Sequence, residues 1–316
     1  MKEQFLEAAN KRRAEWAASD AKRDADLIDR TDVRVVENII YAPSDSADEE
    51  KWHLADIYYP FPTTVEYSKG DKFYTIVSVH GGGWFYGDKE LYRHYCMKLA
   101  SYGFAVVNFN YRLSPEYQYP AGFMDVCRLF DFISRESDNY HLDMDHLFGV
   151  GDSAGAQLLS QYSIWATNKE YHELLDPEFK LEAPVPKRVG LNCGVYDMKA
   201  MLGRESLYDW YLEDELLKDV EGNTDLGKSF FGIMNYITKD FPETYLMLSV
   251  NDPLKVHTIP MKEKLEENEV HTIFREWGED CEEDGHVFHV NMRSENGIRC
   301  NEEEIAFFRA WDKERC

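Results

Sequence analysis

The sequence predicts an α/β fold with a mostly parallel central sheet flanked by helices and a helical cap, and three observations support it. From residue 73 onward, short apolar runs alternate with stretches of helical character. Two of these runs, TIVSV and FAVVNF, are almost wholly apolar, as expected of strands buried on both faces. The segment 197–238 is rich in Tyr, Trp, Leu and Phe but contains no convincing strand. The alternation of strand-like and helical runs after residue 73 implies βαβ units on a parallel sheet, and the strandless segment implies a helical cap.

The predicted elements follow one another in a regular order. Strands at 33–41 and 52–59 are separated by a turn-rich acidic stretch and predict an antiparallel hairpin. Further strands are predicted at 73–79, 104–109, 147–150, 189–191 and 245–250. Helices are predicted at 91–102, 124–134, 154–167, 260–267 and 302–312.

The chain is predicted to form a single domain over residues 1–316. No internal repeat, low-complexity tract or linker divides it. We expect the cap to be formed by an N-terminal helix, about 1–32, and by an insertion, about 197–238.

Composition excludes several classes of function. The chain has 59 acidic and 35 basic side chains and a formal net charge of −24, which would repel phosphate backbones. Nucleic acid is therefore not an expected partner. No apolar leader core and no run of 18 apolar residues is present, which predicts a cytoplasmic protein that does not bind membranes. A homo-oligomer is left open.

The six cysteines lie far apart, without a C-x-x-C pair. This spacing argues against both a disulfide framework and a zinc knuckle. We therefore expect buried, reduced thiols and no metal site.

The segment Gly151-Asp-Ser-Ala-Gly155 matches G-x-S-x-G, in which glycines allow a sharp turn that presents a serine above the sheet. The alternative is a glycine-rich structural turn. The segment follows the apolar run HLFGV and opens the predicted helix 154–167, the strand–turn–helix setting that such an elbow requires. Ser153 is the candidate nucleophile.

A second glycine-rich turn, His80-Gly-Gly-Gly-Trp84, directly follows the predicted strand 73–79. Unobstructed backbone amides can point at an oxygen that acquires negative charge. The predicted donors of this oxyanion hole are the amides of Gly82, Gly83 and Ala154. A phosphate cradle is the alternative, but neither G-K-[ST] nor G-x-G-x-x-G is present.

The two glycine motifs, together with Tyr111-Arg-Leu-Ser-Pro-Glu and Tyr119-Pro-Ala between them, resemble the hormone-sensitive-lipase family of α/β-hydrolase esterases. The resemblance runs from about the predicted hairpin to the C-terminus. It implies the α/β-hydrolase fold and hydrolysis of carboxylic esters, usually of short acyl chains, beneath a cap and without a cofactor. In the family pattern, Arg112, Glu116 and Asp125 are scaffold positions.

A serine nucleophile needs an imidazole base, and the imidazole needs a carboxylate that holds its tautomer. In this fold the acid follows the serine, and the histidine follows the acid. Asp252 comes just after the predicted strand 245–250, 99 residues beyond Ser153 (252 − 153). It is the candidate acid, and Asp197, also at a strand end, is the competing one. The resembling family usually has another acidic residue soon after Asp-Pro-Leu, whereas this chain has Lys255-Val-His.

His286, 34 residues after Asp252 (286 − 252), is the candidate base because of its order in the chain and its flanking glycine. The competing histidines are His289 and His257. The acidic run 279–284 could be combined with His286 and His289 into a metal site. Its spacing matches no recognised calcium or zinc pattern, so a solvated loop is expected.

The resulting hypothesis is a serine carboxylesterase that hydrolyses short-chain acyl esters of small molecules through an acyl-enzyme. Trp84 and Phe85 after the oxyanion turn, with Tyr208 and Trp210 from the cap, are expected to line the substrate pocket. Three alternatives stay open: a deacetylase of acetylated sugars such as acetylxylan, an amidase or peptidase with the same triad, and a non-catalytic binder on the same scaffold.

Overall fold

The computed structural model describes residues 3–44, 46–62, 68–69, 72–175, 184–201, 211–212 and 214–311. Within these ranges nine strands form one sheet, in the order β1-β2-β5-β4-β6-β7-β8-β9, with β3 paired to β4. The strands are β1 Val33–Ile40, β2 Leu54–Pro60, β3 Ser68–Lys69, β4 Lys72–Val79, β5 Ala105–Phe109, β6 Leu142–Asp152, β7 Arg188–Asn192, β8 Glu243–Ser249 and β9 Thr272–Trp277.

The main sheet is antiparallel at one end and parallel elsewhere, and the short β3 is antiparallel to β4. β1 pairs with β2, and β2 with β5, in antiparallel fashion, so the predicted hairpin is confirmed. From β5 across to β9 each strand is parallel to its neighbour in the main sheet. The fold class predicted from the alternating pattern is confirmed. Because β4 and β6 are parallel neighbours, the glycine-rich turns that follow them meet at one edge of the sheet.

Helices lie between the strands. They are α1 Glu3–Asp24, α2 Ala47–Glu50, α3 Arg93–Ala100, α4 Ala121–Arg135, α5 Ala154–Thr167, α6 Lys169–Leu174, α7 Asp214–Lys218, α8 Asp225–Phe231, α9 Thr258–Glu267 and α10 Glu295–Arg309. No helix in the described ranges carries an apolar stretch long enough to cross a membrane.

Two of the differences from the prediction have a clear physical reason. Strand β9 is absent from the predicted set because it is a half-exposed edge strand with charged residues at Arg275 and Glu276. Helix α10 begins at Glu295 rather than 302. Asn296 and Gly297 are poor helix formers, but the Ser294 hydroxyl accepts a hydrogen bond from the Gly297 amide (2.9 Å) and caps the first turn.

Successive strand residues alternate between two apolar clusters, as side chains on opposite faces of a strand must. In β4, Val77 and Val79 belong to one cluster, which includes side chains of α4 and α5. Ile76 belongs to the other, which includes side chains of α3 and α10. Both faces of the sheet are therefore covered, and the turns at its carboxyl edge stand on a closely packed base.

Candidate active site

Ser153 lies on a sharp turn between β6 and α5, with φ 52° and ψ −119°. Few residues other than glycine adopt a positive φ, so the turn is strained and its neighbours must accommodate it. A Cβ atom on Gly155 would lie 2.0 Å from the Val79 carbonyl oxygen, and one on Gly151 would lie 2.7 Å from the Gly155 carbonyl oxygen. Both glycines of the motif are therefore required by close backbone approach.

The structure brings the three candidate triad residues into one line of hydrogen bonds. His286 Nε2 lies 2.9 Å from Ser153 Oγ, and His286 Nδ1 lies 2.7 Å from Asp252 Oδ2. Because a carboxylate only accepts, the ring proton is assigned to Nδ1, which leaves Nε2 free to accept from the serine. This is the arrangement in which an imidazole can take the serine proton.

Asp252 is buried just beyond β8. Its second oxygen, Oδ1, accepts a hydrogen bond from the Leu254 amide (2.7 Å), so both carboxylate oxygens have partners. The competing acid Asp197 lies elsewhere, and its carboxylate accepts from the Ala200 amide (3.1 Å). The geometry thus puts Asp252, and not Asp197, against the imidazole.

The competing histidines are both buried. The His289 ring lies 5.6 Å from the ring of Tyr95, edge on. Burial lowers the pKa of His289 to about 3, with the nearby charges of His286 and Arg23 adding to the effect. His289 is therefore neutral at physiological pH. His257 lies in the short 3₁₀ turn that precedes α9. Within the described ranges, only His286 is found in contact with Ser153 Oγ.

The predicted oxyanion turn has the conformation that its glycines permit. Gly82 and Gly83 have φ of 113° and 58°. A Cβ atom on Gly82 would lie 2.0 Å from the Tyr86 carbonyl oxygen. Gly82, Gly83 and Ala154 all line the cavity that contains Ser153. The backbone groups predicted to meet a developing oxyanion are therefore gathered beside the serine.

His80 supports this turn and does not face the serine. Its Nδ1–H donates to the Gly81 carbonyl (2.7 Å), and its ring stacks on Tyr111 with centroids 4.2 Å apart. Burial lowers the pKa of His80 to about 4, although the hydrogen bond to Gly81 acts in the opposite direction. A neutral, stacked imidazole fits a structural role.

A hydrogen-bonded link that sequence reasoning missed joins the oxyanion turn to the serine turn. The Gly81 amide donates to the Tyr92 hydroxyl (2.9 Å), which donates to Asp152 Oδ2 (2.7 Å). Burial raises the pKa of Asp152 to about 6, while the Tyr92 hydrogen bond and the His286 charge oppose that rise. In the sequence, the only sign of this link is that the variable position before the serine in G-x-S-x-G is the acidic residue Asp152.

A second missed contact lies beneath the serine turn. The Ser153 amide donates to the Asn192 carbonyl (2.9 Å), and Asn192 Nδ2 donates to Glu304 Oε1 (2.9 Å). Glu304 is fully buried, and burial raises its pKa to about 8 against the opposing effect of the Asn192 hydrogen bond. A carboxyl group on α10, protonated at neutral pH, thus supports the end of β7.

The serine opens into a cavity of about 550 Å³. Apolar side chains contribute much of the lining beyond the turns: Trp84, Val195, Met201, Leu254 and Val287. Two contacts hold the Trp84 indole in place. Its ring stacks on Tyr211, with centroids 4.8 Å apart, and its Nε1–H donates to Gln157 Oε1 (3.0 Å).

The other pocket predictions have different outcomes. Phe85, predicted to line the same cavity, does not line it: its ring is buried against Trp16 and lines a neighbouring cavity of about 670 Å³. Trp84 lines the cavity in front of the serine, whereas Tyr86 lines both cavities. Tyr208 and Trp210 lie outside the described residues.

Helix α1 contributes part of the cavity wall. Its side chains on that wall are Arg12, Trp16, Ser19, Asp20 and Arg23. The helix is attached through Arg13, whose guanidinium donates to both oxygens of Glu116 (2.7 Å each) and to the Phe85 carbonyl (2.7 Å). The Trp16 ring packs on Phe85 and Tyr86, at 4.9 and 5.6 Å between centroids.

Comparison with known proteins supports the fold and shows the family. Residues 76–290 match a family model described as the alpha/beta hydrolase fold. The acetyl esterase of Salmonella typhi is 29% identical over 188 residues, which represent 57% of this chain and 55% of that protein. The chain thus spans about half the length of the curated relatives it matches.

Solved structures extend the likeness over the whole chain. Esterase B from Lactobacillus rhamnosis, in a form inhibited with a tributyrin phosphonate, is 27% identical with a TM-score of 0.84, covering 100% of this chain and 97% of that one. An esterase from Pyrobaculum calidifontis is 18% identical with a TM-score of 0.70, covering 96% and 93%. At that identity, the second likeness shows the fold alone.

Proposed function

Because the chain belongs to the α/β-hydrolase family, with the motifs of its hormone-sensitive-lipase-like esterases, we propose that it is a serine carboxylesterase that hydrolyses short-chain acyl esters. The observation that carries the proposal is the line of hydrogen bonds from Ser153 Oγ through His286 to Asp252, at 2.9 and 2.7 Å. A serine held in this way is activated for attack on a carbonyl carbon.

In the proposed mechanism, His286 Nε2 takes the hydroxyl proton as Ser153 Oγ attacks the ester carbonyl. The amides of Gly82, Gly83 and Ala154 stabilise the oxyanion that forms. Asp252 stabilises the imidazolium, which then protonates the departing alcohol. A water molecule deprotonated by His286 attacks the acyl-enzyme and releases the carboxylic acid.

A preference for short acyl groups is supported by both the relatives and the cavity. Among the relatives, one is named an acetyl esterase and another is an esterase inhibited with a tributyrin phosphonate. In this chain the Trp84 indole is buried, stacked on Tyr211 and hydrogen-bonded to Gln157, so it cannot swing aside freely. A fixed indole beside the oxyanion turn limits the length of the acyl group.

Replacing the nucleophile tests the proposal. We expect Ser153→Ala to fold normally and to lower kcat for p-nitrophenyl acetate by on the order of 10⁴-fold or more. Ser163→Ala removes a buried hydroxyl from α5, the helix that follows Ser153, where it donates to the Leu159 carbonyl, and serves as the matched control. Hydrolysis by Ser153→Ala at the rate of the control would refute the assignment.

A substrate series separates the proposed activity from its alternatives. We expect kcat/KM to fall from acetyl to butyryl to octanoyl p-nitrophenyl esters. Higher activity on acetylated xylan than on simple acetyl esters would indicate a sugar deacetylase, and higher activity on an anilide than on the matching ester would indicate an amidase. A binder without an activated serine would form no stoichiometric adduct with a phosphonate ester.

The cap is also part of the proposal. We infer that α1 and the insertion 197–238 cover the site within a single domain, since α1 lines the cavity and Tyr211 stacks on Trp84. A cytoplasmic location and a homo-oligomer stay predictions.

A further inference from the structure

A cysteine lies beside the candidate triad and has no part in the proposed reaction. Cys193 directly follows Asn192, the last residue of β7, and is buried with φ 50°. Its amide donates to the Met247 carbonyl (3.0 Å), which holds the chain after β7 against the neighbouring strand β8. The left-handed backbone is uncommon for a residue with a side chain, so the thiol is held where it is by its surroundings.

Cys193, Asp252 and His286 bring three different kinds of metal-ligand atom close together. The cysteine sulfur, a carboxylate oxygen of Asp252 and a ring nitrogen of His286 all lie within 4.8 Å of one another. No other set of three such ligands comes as close among the residues that the structure describes. The Met247 sulfur, 3.7 Å from the cysteine sulfur, adds a soft atom nearby.

These atoms match the ligand chemistry of zinc. Zn²⁺ binds thiolate sulfur at about 2.3 Å and imidazole nitrogen or carboxylate oxygen at about 2.0–2.2 Å, usually in a tetrahedron. Ligand atoms around such an ion are roughly 3.3–3.8 Å apart. A side-chain movement of about 1 Å therefore closes the three ligands around an ion.

Cys193 and Asp252 are buried, so an ion would reach them past the His286 ring. The His286 side chain is 30% exposed and, with Val287, lines the cavity in front of Ser153. The formal net charge of −24 raises the local concentration of cations around the chain.

We propose that Cys193, Asp252 and His286 form an inhibitory binding site for zinc and similar thiophilic divalent cations. The ion binds the carboxylate of Asp252, the sulfur of Cys193 and Nδ1 of His286. The thiol proton leaves to solvent, and the imidazole retains its single proton, which moves from Nδ1 to Nε2. One dication and two anionic ligands then form a neutral unit.

Inhibition follows from the position of that proton. In the metal-free site, Nε2 of His286 accepts the proton of Ser153. Once Nδ1 binds the ion and Nε2 carries hydrogen, the imidazole has no lone pair for the serine. The consequence for activity rests on the proposed esterase function, whereas binding of the metal does not.

The first test measures inhibition. In chelator-treated buffer, micromolar Zn²⁺ is expected to inhibit p-nitrophenyl acetate hydrolysis, and EDTA to restore it. Cys193→Ala and Cys193→Ser, each compared with its own metal-free rate, should need at least about tenfold more Zn²⁺. Cys281→Ser, which removes a half-buried thiol elsewhere, is the matched control and should retain wild-type sensitivity. Equal sensitivity of the Cys193 variants and the control would overturn the proposal.

The second test does not depend on activity. Titration with Co²⁺ should give the ultraviolet charge-transfer band of a cobalt–thiolate bond in the wild type and in Ser153→Ala, but not in Cys193→Ala. A wild-type protein without the band refutes the metal site even if it is an esterase. A band in a protein that hydrolyses no ester would support the metal site and refute the proposed function.

Discussion

Two neighbouring regions, the catalytic corner and helix α1, are built in different ways. The catalytic corner comprises the turns 80–84 and 151–155, Asp252 and His286. Its turns are fixed by backbone contacts so close that a Cβ atom at Gly82 or Gly155 would lie 2.0 Å from a carbonyl oxygen. Helix α1, in contrast, is attached through side-chain contacts, among them those of Arg13, Trp16 and Asp20.

The contrast suggests a division of roles: the catalytic corner carries out the reaction, and α1 controls access of the substrate to the cavity. Groups that must hold reacting atoms within a fraction of an ångström stand on the central sheet, where packing fixes them. The helix that completes the cavity wall depends on a few side-chain contacts, which can loosen without disturbing the sheet. Mutations in the corner should therefore reduce kcat, and mutations in α1 should change KM.

The largest effect is expected at the acid. Asp252→Asn keeps the size of the side chain but removes the charge and favours the wrong imidazole tautomer. We expect kcat for p-nitrophenyl acetate to fall by on the order of 10⁴-fold, as in serine hydrolases with this triad. Asp197→Asn is the matched control and should stay within a few-fold of wild type. A large loss in the control with little loss in Asp252→Asn would reverse the assignment of the acid.

The next effect tests whether the corner is fixed by backbone contact. Gly155→Ala would place its Cβ atom 2.0 Å from the Val79 carbonyl, so the serine turn must shift. We expect a loss of about 1–3 kcal/mol in the free energy of unfolding, or more, together with a severe loss of kcat. Gly285→Ala meets nothing within 4 Å and should be nearly neutral in urea denaturation. Equal stability of the two variants would contradict the comparison.

A smaller effect is expected in α1. Arg13→Ala removes charge-assisted hydrogen bonds that are together worth about 1.5–3 kcal/mol. The helix should dock less firmly, so KM should rise by roughly tenfold or less while kcat changes little. Lys11→Ala, an exposed position on the same helix, is the control. A loss confined to kcat would show that α1 positions the reacting groups as well.

The sequence predicted the catalytic corner better than it predicted the contacts of α1. Ser153, Gly82 and Gly83 were identified from motifs a few residues long, because a strand, a glycine turn and a helix are encoded locally. His286 and Asp252 followed from their order in the chain, and the structure puts them in contact with each other. The parallel sheet was predicted from the apolar runs and is confirmed.

What the sequence did not predict depends on distant partners. Tyr92 reaches Asp152 across 60 positions, and Asn192 reaches Glu304 across 112. No local pattern reports such pairs. The position of Phe85 also depends on a distant residue, because its ring packs against Trp16 of α1. Tertiary packing decides which cavity a residue faces.

The last prediction concerns the layer beneath the corner, where Glu304 supports Asn192. Burial raises the pKa of Glu304 from 4.5 to about 8, so the folded protein retains a proton that the unfolded chain releases. The contribution of this carboxyl group to the free energy of unfolding is fully present below pH 4.5 and is lost as pH rises toward 8. Glu304→Gln cannot ionise, so its free energy of unfolding should fall less over that window. At ~1.4 kcal/mol per pH unit the difference is at most about 5 kcal/mol.

Urea denaturation at pH 5 and pH 8.5 measures this difference, and Glu302→Gln, an exposed neighbour on α10, is the control. Because Gln retains an oxygen that can accept from Asn192, kcat of Glu304→Gln at pH 7 should stay near wild type. Parallel pH profiles for wild type and Glu304→Gln would show that Glu304 is ionised in the folded protein. The support beneath Ser153 would then be a charged pair, and the corner would depend on electrostatics as well as on backbone contact.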